Sequence, residues 1–69
     1  MSNYIVAVTA SSNEKTFKQT LEFLKGVALK GEISYDTEFL FKMPKGKWDE
    51  LAQFCITYGL NGTVLTEVN

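Results

Sequence analysis

The sequence contains no histidine and no arginine, and it has only one cysteine and one proline. Histidine is the commonest general base near neutral pH and the commonest metal ligand, so its absence argues against catalytic and metal-binding classes. Without arginine, the chain lacks the guanidinium group that best recognises nucleic-acid bases and phosphates. The single cysteine, Cys55, cannot form an internal disulfide. We therefore expect a protein that is not an enzyme and that needs no metal or cofactor.

The length and composition of the chain predict one small globular domain spanning residues 1–69. Hydrophobic residues make up 45% of the sequence, which is enough to form a core without metals or disulfides. The formal net charge of −1 gives no overall field that would attract nucleic acid. The N-terminus lacks the basic segment and apolar run of a signal peptide, and no apolar stretch approaches the ~20 residues of a membrane span. We expect a cytoplasmic protein without a membrane segment.

Residues 32–43 show the clearest pattern in the sequence, an alternation with a period of two. One set of alternate positions is mostly apolar and comprises Ile33, Tyr35, Thr37, Phe39, Phe41 and Met43. The other set is mostly polar and comprises Ser34, Asp36, Glu38, Leu40 and Lys42. Because successive side chains of a strand point to opposite faces, this pattern predicts one long strand with its aromatic face in the core and its acidic face in water.

The residues before this segment predict a central strand followed by a helix. Residues 4–9 are mostly apolar at both sets of alternate positions and rich in β-branched side chains, as in a strand in the middle of a sheet. Ser11 and Glu14 have the spacing of a capping box, which predicts that Ser11 caps the helix. The core-facing stripe of this helix is predicted to contain Phe17, Leu21 and Leu24, with Phe23 beside it.

Two endings are open for this helix, and they predict different numbers of strands. If Gly26 is the left-handed stop residue, residues 27–29 form a short strand that turns near Gly31 into the long strand. The element order is then β-α-β-β-α-β, with four strands. If the helix runs through Gly26 to Gly31, the order is β-α-β-α-β, with three strands. We favour the first, because a glycine inside a helix costs about 1 kcal/mol relative to alanine.

The second half of the chain predicts another helix and a last strand. Pro44 cannot donate a hydrogen bond to a sheet and ends the long strand. Residues 47–58 have helical spacing of apolar side chains, Gly59 is the stop signal, and residues 63–68 form the last strand. We therefore predict an α+β domain with two helices on one face of an antiparallel sheet. This order of elements resembles the ferredoxin-like class, which hosts many unrelated functions.

The polar side of the predicted long strand is the candidate binding site. Ser34, Asp36, Glu38 and Leu40 share this face, and Glu67 of the last strand is expected nearby. Two carboxylates on an accessible sheet face favour a partner protein with a basic surface, and an exposed strand edge offers a second way to pair. In size and style the chain looks like the small proteins that phages make to block host enzymes. We expect a regulator, adaptor or inhibitor.

Two other functions are consistent with the sequence. Lys42, Lys45 and Lys47 cluster around Trp48, and basic residues beside an aromatic ring are typical of single-stranded nucleic-acid binding. Strand edges also allow a homo-oligomer, in the form of a homodimer, that senses a small effector.

Three further motifs have structural explanations that we prefer. The loop at residues 9–16 leads into a helix start, where capping explains every residue better than a phosphate site. Cys55 lies on the inner stripe of the second helix and is expected to be a buried hydrophobic residue. The glycosylation pattern at residues 61–63 is better explained as the turn before the last strand.

Overall fold

The structure is a computed structural model that describes residues 2–69. Its elements, in chain order, are β1 (Asn3–Thr9), α1 (Glu14–Val27), β2 (Ile33–Tyr35), β3 (Glu38–Pro44), α2 (Trp48–Tyr58) and β4 (Gly62–Val68). Two short 3-10 helices, Leu29–Gly31 and Lys45–Lys47, precede β2 and α2. The predicted β-α-β-β-α-β order is therefore confirmed, and the three-stranded alternative is wrong.

The four strands form one antiparallel sheet in the spatial order β2-β3-β1-β4. β1 pairs with β3 on one side and with β4 on the other, which confirms its predicted central position. α1 links β1 to β2 across β3, and α2 links β3 to β4 across β1. Each helix thus connects two parallel strands that have an antiparallel strand between them, which is the split β-α-β arrangement of the ferredoxin-like class.

The prediction of one long strand is wrong, because the segment at residues 32–43 contains a hairpin. β2 and β3 pair with each other, Tyr35 lies opposite Phe39, and the chain reverses at Thr37. A reversal centred on one residue, rather than between two residues, places odd-numbered residues opposite odd ones and even-numbered residues opposite even ones. The alternation of apolar and polar positions is therefore the same for a single strand and for this hairpin. The period of two shows which side of the sheet each residue faces, but it does not show where the chain turns.

α1 ends at Val27, so the predicted stop at Gly26 and the predicted strand at residues 27–29 are wrong. The buried side chains of α1 recur at helical spacing and are Thr20, Leu24 and Val27. Burial of a valine side chain contributes about 1.5–3 kcal/mol, which exceeds the cost of about 1 kcal/mol for a glycine inside a helix. The helix therefore continues through Gly26, and the turn into β2 follows at Leu29–Gly31.

α1 begins at Glu14 and is capped by Asn13, so the predicted capping box at Ser11 is wrong. The N–H of Thr16 donates to Oδ1 of Asn13 at 3.0 Å. The hydroxyl of Ser11 accepts instead from the N–H of Asn13 at 3.0 Å and stabilises the turn before the helix. Asparagine caps a helix at least as well as serine, so the helix begins after the asparagine.

α2 ends at Tyr58, and Gly59 is the stop residue as predicted, with a left-handed φ of 67°. The N–H of Leu60 donates to the carbonyl of Cys55 at 2.8 Å, and the N–H of Gly59 donates to that of Ile56 at 3.4 Å. These are the two hydrogen bonds of a Schellman motif, which satisfies carbonyls at the end of a helix. The motif turns the chain directly into β4.

A hydrophobic core lies between the sheet and the two helices. Its buried side chains are Val6, Val8, Leu24, Val27, Ala28, Phe39, Phe41, Met43, Leu51 and Cys55. The burial of Phe39 and Phe41 confirms the predicted inner face of this segment. Tyr35 is a correction, because 56% of this residue is exposed. It lies in the edge strand β2, where its ring packs edge-on against Phe17 with 5.2 Å between ring centroids.

The glycines at the ends of α1 and α2 predict opposite effects of the same substitution. A Cβ at Gly26 would meet no atom within 4 Å, whereas the φ of Gly59 strains any L side chain. Gly26→Ala should raise the free energy of unfolding by about 0.5–1 kcal/mol, and Gly59→Ala should lower it by about 1–2 kcal/mol. Urea unfolding followed by circular dichroism measures both. Destabilisation by Gly26→Ala would contradict the continuation of α1 through this residue.

Candidate functional site

Within residues 2–69, no element covers the side of the sheet opposite the helices, which we call the outer face. Exposed and buried residues alternate along β3, so that Glu38, Leu40 and Lys42 point to the outer face. Cross-strand pairing places Ser34 of β2 and Ala7 of β1 on either side of Leu40. Directly paired residues of an antiparallel sheet share a face. Leu40 therefore lies in the middle of a row of side chains that crosses three strands.

The outer face carries a shallow depression of about 340 Å³ beside the β2–β3 turn. Its lining includes Ala7, Ser34, Asp36, Glu38, Leu40 and Leu65. The structure therefore brings together all four residues of the docking face that the sequence predicts. Their role in binding a partner stays a prediction.

Two apolar residues of the depression, Ala7 and Leu65, are missing from the face predicted from the sequence. The register of β4 against β1 shifts between Ile5 and Val6, and Leu65 is the extra residue of this β-bulge. A bulge changes which alternate positions face outwards, and the sequence of β4 does not mark it. Ala7 lies in a run that is apolar on both sides, so periodicity does not assign it to either face.

The rim of the depression is acidic and accessible. Asp36 and Glu38 are exposed, and neither takes part in the three ion pairs that residues 2–69 form. Glu67, expected near them, lies instead towards the other end of the sheet. It pairs with Tyr4 in β1, whereas Glu38 pairs with Thr9, and five residues of antiparallel strand span about 17 Å. Asp36 and Glu38 are therefore the carboxylates of this site, without Glu67.

Two lysines of the predicted nucleic-acid patch face carboxylates of the same chain. The Nζ of Lys45 lies 3.5 Å from a carboxylate oxygen of Glu67. The Nζ of Lys47 lies 3.8 Å from a carboxylate oxygen of Glu50. Both pairs are exposed, and such pairs contribute at most about 1 kcal/mol, so the lysines remain able to exchange partners.

The remaining residues of this patch lie on different sides of the sheet. Trp48 is half-buried and packs edge-on against Tyr4, with 5.8 Å between the ring centroids. Tyr4 shares the helix-covered side with the core residues Val6 and Val8 of the same strand. Lys42 points to the outer face. The structure thus separates Lys42 from Trp48, and the nucleic-acid alternative gains no geometric support.

A second apolar surface lies on the helix side of the molecule. Phe23 of α1 and Phe54 of α2 stack face to face, with 4.2 Å between ring centroids, and Tyr58 packs on Phe54 at 4.6 Å. The three rings line two shallow depressions, one of about 550 Å³ bordered mainly by α2 and one of about 540 Å³ bordered mainly by α1. The stack of Phe23 on Phe54 joins α1 to α2 and helps to hold the two helices together.

Cys55 is buried between α2 and the sheet, as the sequence predicts. A Cβ placed on Gly62 would lie only 3.2 Å from its Sγ, so glycine permits the close approach of β4 to α2. Burial raises the pKa of the Cys55 thiol above its ordinary value. The thiol is therefore less ionised and less nucleophilic than a free cysteine, in agreement with a packing role.

Two further features bear on function. Among residues 2–69, no group of three or more acidic or cysteine side chains is arranged to hold a metal ion. The described helices are too short and too polar for either of them to cross a membrane.

The fold and the outer face together define a small α+β domain of ferredoxin-like strand order with an open, acid-rimmed sheet surface. Comparison with protein-family models, curated proteins and solved structures finds no match to this chain.

The raised pKa of Cys55 predicts an alkaline loss of stability that depends on this residue. In the unfolded chain the thiol ionises at its ordinary pKa, near 8.5, whereas the folded protein keeps it protonated to higher pH. Unfolding then releases a proton, so the free energy of unfolding falls as the pH rises above about 8.5.

Urea unfolding at several alkaline pH values measures this effect. The free energy of unfolding should fall more steeply with pH in the wild type than in Cys55→Ala. This variant is the reference because it retains every other titrating group. Parallel curves for the two proteins would show that the thiol ionises equally in both states.

Proposed function

We propose that this protein is a non-enzymatic binding module that docks on another protein through its outer face, with Ser34, Asp36, Glu38 and Leu40 in the contact. The observation that carries the proposal is one accessible depression that combines an apolar centre with an unpaired acidic rim. Leu40 is 43% exposed and Leu65 is 55% exposed. Large apolar side chains grouped with carboxylates on an uncovered sheet are typical of an interaction surface.

The apolar centre supplies attraction, and the carboxylates select the partner. Leu40 and Leu65 are each about half buried, so covering them contributes about 1 kcal/mol per side chain. Asp36 and Glu38 lie at the rim, where charges mainly accelerate association and reject partners of like charge. The surface therefore fits a partner whose apolar patch is flanked by lysine or arginine.

A module of this kind acts by covering part of a larger protein, as a regulator, adaptor or inhibitor in the cytoplasm. Its length is similar to that of the small phage proteins that block host enzymes. The edge strand β4 supports the proposal in a second way, because it pairs with β1 only. A partner strand added to that edge would lie beside Leu65 and extend the same contact.

Quantitative capture from a lysate of the source cells tests this function. The immobilised protein should retain at least one partner, and the charge reversal Asp36→Lys with Glu38→Lys should reduce its capture about tenfold or more, because both rim charges then repel a basic surface. Capture by the wild type should also weaken as salt is raised, since exposed charges are screened.

The matched control is Glu22→Lys with Asp49→Lys, which changes the net charge equally but on the two helices. It should retain the partner at the wild-type level. Equal capture by the two double variants would contradict docking through the outer face.

A further inference from the structure

We infer that the outer face also pairs with the outer face of a second copy of this chain, bringing Glu38 of one copy against Lys42 of the other. The inference rests on the docking function proposed above, because the second copy would compete with the partner protein for the same face. Its starting point is the order of side chains along β3, where Glu38, Leu40 and Lys42 form an acidic, an apolar and a basic position in one line. When a second copy of this strand faces the first in the opposite direction, each charged side chain meets one of opposite charge.

The two charges of this line cannot satisfy each other within one molecule. Four residues of antiparallel strand separate Glu38 from Lys42 by about 14 Å. Neither residue takes part in the three ion pairs of residues 2–69. Both side chains are exposed. A reversed copy of the strand would supply a partner for each of them at once.

The neighbouring strand β2 does not repeat this polarity, because an acidic residue flanks each of its ends, Glu32 beside Lys42 and Asp36 beside Glu38. Asp36 lies with Glu38 at one end of the outer face and makes that end doubly negative. At the other end Lys42 shares a small depression of about 210 Å³ with Lys30 and Glu32, two lysines and one glutamate with a net charge of +1. The outer face is therefore acidic at one end and basic at the other, with Leu40 between them.

This polarity selects one of the two symmetric ways to stack the faces. A two-fold axis along the strands would place Asp36 and Glu38 against the same residues of the second copy, which is repulsive. A two-fold axis across the strands, passing over Leu40, exchanges the acidic and basic ends. Two sheets stacked about 10 Å apart then bury Leu40 and Leu65 of both copies between them.

The pairing is weak, and its weakness has a regulatory consequence. In the second arrangement Asp36 of one copy approaches Glu32 of the other at an exposed corner, and this repulsion offsets part of the attraction. Self-pairing therefore occurs only at high protein concentration. A partner with a fully basic surface displaces the second copy, because it meets Asp36 and Glu38 without the opposing glutamate.

Sedimentation velocity over a range of protein concentrations at low salt tests the inference. The wild type should show a reversible monomer–dimer equilibrium. Glu38→Lys and Lys42→Glu should each raise the dimer dissociation constant about tenfold or more, because each places like charges against each other in both contacts. Glu32→Gln should lower it, since this change removes the opposing charge at the corner.

Mixing the two charge-reversed variants tests the proposed contact between Glu38 and Lys42 most directly. An equimolar mixture of Glu38→Lys and Lys42→Glu proteins should form a heterodimer, because one copy then carries two lysines and the other two glutamates. The doubly reversed protein, with both substitutions in one chain, should dimerise like the wild type. Circular dichroism confirms that each variant is folded.

Three outcomes would overturn the inference: a monomer at all concentrations, no heterodimer in the mixture, or a dimer that is insensitive to these charges and is broken by Glu67→Pro, at a position whose N–H faces away from β1. The last would assign the contact to the edge of β4.

Failure of the docking function can be distinguished from failure of this inference, because Lys42→Glu breaks self-pairing but should still capture a basic partner. If Lys42→Glu loses capture as strongly as the Asp36→Lys, Glu38→Lys variant, self-pairing and docking on a partner do not depend on different residues, which contradicts the inference.

Discussion

The pairing of β1 with β3 is the constraint on which the rest of the structure depends. These two strands are the centre of the sheet, and each has a neighbour on both sides. Their register sets Tyr4, Val6 and Val8 directly opposite Met43, Phe41 and Phe39. Most of the buried sheet residues belong to this seam, and Leu24 of α1 and Leu51 of α2 pack in the same core. Both helices are therefore held to the sheet by one set of side chains.

The same pairing determines the outer face. Because side chains alternate along each strand, a register that buries Phe39 and Phe41 necessarily turns Glu38, Leu40 and Lys42 the other way. The docking surface is thus composed of residues that the core excludes. Only one layer of helices covers the sheet, and the apolar side chains of the uncovered side remain available for contacts between molecules.

Much of this architecture follows from periodicity. The alternation at residues 32–43 correctly assigns Phe39 and Phe41 to the interior and Asp36 and Glu38 to the outer face, and Gly59 marks the end of α2. It fails at the turn, because a reversal about Thr37 preserves the pattern. The sequence therefore predicts the hairpin turn near Gly31, whereas the structure has it at Thr37, although the predicted count of four strands is right.

The other errors come from interactions that local patterns do not contain. Burial of Val27 against the sheet overrides the stop signal at Gly26, and this depends on the whole fold. Tyr35 is apolar enough for a core position but lies on an edge strand, where 56% of it stays exposed although its ring contacts Phe17 and Phe39. Leu65 joins the outer face through a bulge that shifts the register of β4. Sequence alone therefore indicated the acidic rim of the site but not its full apolar centre.

Nuclear Overhauser contacts of the Leu40 methyl groups test the central claim most directly. The account predicts contacts to the methyl groups of Ala7 and Leu65, which line the same depression. It predicts no contacts to Leu24 or Leu51, which lie in the core on the opposite side of the sheet. Contacts from Leu40 to either core leucine would show that β3 turns its other face to the helices, and they would contradict both the register of the sheet and the surface built on it.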